Sequence, residues 1–116
     1  MIPQDWIPHH RDEDGELLGY LRPAGDSFEP MTVFGYPLAE PADEYDAAAV
    51  LDAVGLSYLA ERWLLTVPER TEPIAVQVVE VDPDNVRVKN VDPGYEGDIK
   101  QHFTLPVPTS RLQPEH

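Results

Sequence analysis

Residues 74–91 read IAVQVVEVDPDNVRVKNV, and the fold turns on how they are understood. Two valine-rich runs alternate with polar residues and flank the tetrapeptide Asp82-Pro83-Asp84-Asn85. Alternation with period two, β-branched side chains and a bounding Asp/Pro/Asn cluster are the marks of a strand–turn–strand unit. The side chain of Asp82 can bond its own backbone two residues on, which starts such a turn. With a four-residue connection Val81 faces Val86 and Glu80 faces Arg87, the second an opposite-charge cross-strand pair. One irregularity breaks the pattern. Val76 and Val78 share one face, whereas Val79 and Val81 share the other, and a change of parity inside a strand predicts a β-bulge near Val78–Val79.

Working outward, residues 12–15, Asp-Glu-Asp-Gly, repeat the same turn chemistry between WIPHHR and ELLGYLR. By analogy Arg11 faces Glu16, and Pro8 confines the first strand to a sheet edge because it has no N–H for a second neighbour. The stretch GDSFEPMTVFGYPLAEPAD is rich in turn residues, with a short strand expected over Met31–Phe34. Asp43 then reads as an N-cap, with Glu44 and Asp46 in the first turn, where the helix dipole favours acids. Ala47, Val50, Leu51 and Val54 form one apolar stripe, and Gly55 is a fitting terminator. LSYLAERWLLTV fits both the helical and the strand period. The strand, from about 61 to 67, is preferred because Gly55 has just ended a helix and Pro68 follows. A last strand is expected in IKQHFTL, and PVPTSRLQPEH reads as extended.

The expectation is an α+β fold: a small antiparallel sheet of about 5–7 short strands, able to curl into a half-barrel, with one main helix near residues 44–54. Residues 1–108 are expected to form a single domain and residues 109–116 a weakly ordered C-terminal tail. One helix covers only one face, so the other must curl, meet a partner or stay wet.

Composition narrows the function classes. The chain has 116 residues, no cysteine, and 22 acids against 8 bases, for a net charge of −14. Disulfides and thiolate chemistry are excluded. No apolar run suggests a signal peptide or a membrane span, so a soluble cytoplasmic protein is expected. Direct binding to nucleic acid or anionic lipid is disfavoured, since both need clustered Lys and Arg. The acidity is uneven. Between Pro23 and Glu61 there is no Lys or Arg but there are 8 acids. Such a stretch either solvates the surface or speeds the approach of a basic protein partner. Glu40, Asp43, Glu44 and Tyr36 are the candidate contacts for that partner.

HHRDEDGE, residues 9–16, is the one stretch that hints at a metal, through His9, His10, Asp12 and Asp14. It lacks the full spacing of a calcium loop, and adjacent histidines on a strand diverge. Turn chemistry is the simpler reading, and no cofactor or metal is expected. His102 could join His9 or His10 as an acid–base group only if the fold brought them together. Ser27, Ser57 and Ser110 lack a nucleophile context, and no phosphate loop occurs. Trp6, Tyr20, Phe34, Tyr36, Tyr45, Tyr58 and Trp63 are expected mostly in the core.

Three functions follow as expectations. The first is a non-enzymatic interaction or accessory domain. The second is a small metal-dependent or acid–base enzyme built on His9, His10, Asp12, Asp14 and His102. The third is an acidic antagonist of a basic partner, immunity-like or mimicking nucleic acid.

Overall fold

The computed structural model describes residues 1–68, 70–94 and 101–115. Among these, the elements run β1 (Ile7–His10), β2 (Leu17–Ala24), β3 (Ser27–Met31), α1 (Glu44–Val54), a 3-10 turn over Ser57–Ala60, β4 (Arg62–Leu65), β5 (Ile74–Val81), β6 (Asn85–Asn90), β7 (His102–Pro106) and β8 (Leu112–Pro114). The fold is α+β with one main helix, as expected, but the strands form two antiparallel sheets rather than one. The orders are β1-β2-β3 and β7-β6-β5-β4-β8, and neither sheet closes into a barrel. No helix among the described residues is long and apolar enough to cross a membrane.

The hairpin of residues 74–91 forms in the anticipated register, with Val81 opposite Val86 and Glu80 opposite Arg87. The Asp82 carboxylate accepts the N–H groups of Asp84 and Asn85, both at 2.8 Å, and closes the turn. Val78 pairs Val88 and Glu80 pairs Arg87, which leaves Val79 as the bulged residue. β1 is an edge strand, consistent with Pro8.

Two details of the strands differ from the expectation. β3 ends at Met31, so the strand expected over Met31–Phe34 is instead a turn. The Thr32 hydroxyl accepts the N–H groups of Phe34 and Tyr36, and a threonine that satisfies the local backbone in this way removes it from a ladder. The real strand lies earlier, paired to β2 across a tight turn in which Ala24 faces Ser27. At the other end, residues 112–114 pair with β4 and bury Leu112, within the tail expected to be weakly ordered. The expected last strand is present as β7, with residues 95–100 outside those described.

α1 is built as read. Asp43 caps it by accepting the Asp46 N–H at 2.7 Å, and the Gly55 N–H donates to Leu51 at φ +60°. Its buried stripe is narrower than expected: Ala47 and Leu51 are buried, while Val50 is half-exposed. The helix lies on β2 and β3, where Ala47 and Leu51 pack with Leu18 and Leu21. Gly19 allows this close packing, because a Cβ there would lie 2.2 Å from the Met31 carbonyl oxygen.

The larger core belongs to the five-stranded sheet. Trp63, Leu65, Ile74, Val76, Val86, Val88, Leu105 and Leu112 cover its inner face with Phe34 and Tyr58. Phe34 meets the Trp63 ring edge-on at 4.8 Å and stacks on Tyr58 at 5.7 Å. The opposite face is wet, carrying Arg62, His102 and Thr104 exposed and Gln77, Arg87 and Lys89 half-exposed.

Candidate interaction groove

The two cores meet at Leu56, which packs against both, and at the Tyr58 hydroxyl. Tyr58, buried at the 3-10 turn, accepts the Val33 N–H at 2.9 Å and donates to the Leu18 carbonyl at 3.0 Å. Burial pushes its phenol up to about 12, so it stays a neutral donor across the ordinary pH range. Beside this tie the two halves splay apart, and a groove of about 340 Å³ opens. One wall is Glu16, just before β2, with Leu17 and Tyr20 on the strand. The floor is Val33 with Leu56 and Leu59 from the 3-10 turn and its approach. The other wall is Val78–Pro83, the bulged end of β5 and the turn after it.

The bulge decides the character of that wall. Val78 and Val81 point inward on either side of it, and Val79 stands unpaired between them at 42 % exposure. An exposed valine within a strand is ordinary; next to half-exposed Leu17, Leu56, Leu59, Val78 and Val81 it completes a continuous apolar lining. Bulges commonly re-aim side chains beside binding sites. The rim is acidic. Glu16 stands on one side and Glu80 and Asp82 on the other, and among the described residues no Lys, Arg or His lines the groove. Glu80 also holds Arg87 at 2.7 Å, on the wet side of the sheet. The parity change at Val78–Val79 was the signal available in the sequence. What it could not reveal was which loop lay across from it.

The residues singled out from the sequence lie elsewhere. His9 Nε2 is 2.8 Å from Asp52 Oδ1 on α1, a strand-to-helix contact that sequence spacing did not suggest. His10 and Asp12 are exposed. Asp14 accepts two bonds from the Arg11 guanidinium, at 3.0 and 3.1 Å, and the Glu16 N–H at 3.0 Å. Those bonds, Arg11 first, hold its carboxyl below the usual range. Arg11 therefore pairs within the turn through Asp14, although its backbone N–H does donate to Glu16 as the register required. His102 is on β7 of the other sheet. No group of three or more metal-ligating side chains gathers among the described residues.

The candidate partner contacts also separate. Asp43 is the N-cap of α1, and Tyr36 packs edge-on against Trp63 at 5.3 Å. Glu40 and Glu44 are exposed, close in sequence to Tyr45, which is 82 % exposed. Trp6 and Tyr36 line a second, wider hollow of about 580 Å³. Its walls include Arg22, Thr109, Ser110 and Gln113, and Arg22 is already paired to Glu29 at 2.9 Å. It offers less continuous apolar surface than the groove.

Comparison with protein-family models, with curated proteins and with solved structures gives no match.

Proposed function

We propose that this protein is a non-enzymatic interaction domain that seats an apolar part of a partner in the groove between its two sheets. The observation that carries this is the lining itself: side chains from four separate segments converge on one open apolar trough. A catalytic pocket is expected to hold convergent polar groups with strongly shifted acidity. Here the polar groups stand on the rim, and the markedly shifted phenol, Tyr58, is spent on joining the two halves. The net charge of −14 supports a basic protein partner, met in the cytoplasm, over nucleic acid or an anionic membrane.

Affinity capture from native lysate, at low and high salt, tests the reading with the wild-type chain and Val79→Asn. Val79 is exposed enough for this change to leave the fold intact. A partner held by the wild-type chain and lost by Val79→Asn supports the groove. A partner retained equally by both contradicts it.

A further inference from the structure

Resting on that reading, the geometry points to the class of occupant: we infer that the groove takes a basic amphipathic segment of a partner protein. Its apolar side chains would sit against Val79 and Leu59, and flanking Lys or Arg would meet Glu16 on one rim and Asp82 on the other. The argument is one of charge and size. A cavity of ~150 Å³ accepts benzene, so a groove of about 340 Å³ has room for roughly two ring- or leucine-sized groups. That suits the anchors of a short segment, whereas a small ligand held by itself would need orienting polar groups in the depth of the groove. The anchors must arrive past Glu16 and Asp82, since the Glu80 carboxylate is paired to Arg87 at 2.7 Å on the wet face. An acidic or uncharged segment gains nothing there, and a second copy of this chain carries the same net charge of −14 and is repelled. A basic segment gains twice. The overall field speeds its approach, and the rim pairs with it once it is seated.

The test uses three pools of synthetic dodecapeptides, each with central positions randomised over Leu, Met, Phe and Trp. The flanks are Lys/Arg in one pool, Ser/Gln in the second and Glu in the third. Each is titrated into the isotopically labelled full chain and followed by amide and methyl NMR shifts. The expected result is that the basic pool moves Leu17, Leu56, Leu59 and Val78–Val81, more weakly as salt rises, while the acidic pool moves nothing. Glu16→Gln should weaken the basic pool about two- to fivefold, as fits a rim charge pair, and leave the neutral pool unchanged. If the neutral pool binds the groove as tightly as the basic one, the occupant inference fails and the groove reading survives. If no pool moves the groove residues, both fail. If the basic pool moves only residues 40–46, the partner belongs on the helix face and the inference is overturned.

Discussion

The two halves of the molecule are built to different depths. The five-stranded sheet buries large side chains from every strand, and Leu65, Ile74, Val76, Val86 and Val88 are fully enclosed. The three-stranded half rests on a cluster of Leu18, Leu21, Ala47 and Leu51, capped by a helix with one narrow stripe. Leu56 packs against both cores, and between the halves runs a seam that Tyr58 pins and apolar side chains only partly fill. The difference shows where a binding site can arise at little cost to stability. Leu17, Leu56, Leu59, Val78 and Val81 lie at the edge of the larger core, so leaving them half-exposed sacrifices little burial.

The largest effect is expected in the deeper half. Leu65→Ala should cost about 3–5 kcal/mol in a denaturant melt, the upper range for a leucine that leaves a cavity in a rigid sheet. Leu51→Ala in the shallower half should cost about 2–4 kcal/mol, while its half-exposed neighbour Val50→Ala should cost under about 1 kcal/mol. Equal losses at 50 and 51 would show that the helix stripe is wider than described. Tyr58→Phe keeps the ring and removes the tie. It leaves the Val33 N–H and Leu18 carbonyl unpaired in the interior, a loss of about 1–3 kcal/mol. Unchanged stability there would mean the seam is not pinned by that hydroxyl.

Smaller effects sharpen the picture at the surface. Asp92 accepts the N–H groups of Gly94 and Ala75, and these bonds, Gly94 first, hold its carboxyl below the usual range. A lowered folded value gives stability that is complete above the ordinary carboxylate pKa and is lost as pH falls towards and through the folded value. Asp92→Asn should therefore flatten the acid side of a stability–pH curve modestly, as would be seen in melts between neutral and acid pH. Smallest of all, Val79→Asn should change stability by under about 0.5 kcal/mol, because the residue is neither paired in the ladder nor enclosed.

Legibility in the sequence followed the same division. The hairpin at 74–91, its register and its bulge could be read because alternation, turn residues and parity are all local. The helix could be read from Asp43, Gly55 and the intervening stripe. Thr32 defeated the reading of 31–34 because its hydroxyl chose the backbone of Phe34 and Tyr36 over a strand, and propensity favours both outcomes. β8 is not legible because three residues ending in a proline, Leu112–Pro114, carry no period. The His9–Asp52 contact and the groove were hidden for one reason: both join segments far apart in the chain, and no spacing rule connects position 79 to positions 17 and 59. Among the aromatics, Tyr58 and Trp63 went to the core as expected, and Tyr45 did not.

The seam and the acidic helix face are the two surfaces proposed for a partner, and one experiment separates them. A photo-crosslinking residue placed at position 79 reports on the groove, and the same residue at position 45 reports on the helix face. Irradiation in native lysate, followed by separation of adducts by mass, should give a discrete partner adduct from position 79 and none from position 45. An adduct from position 45 alone, or from neither, would contradict the account.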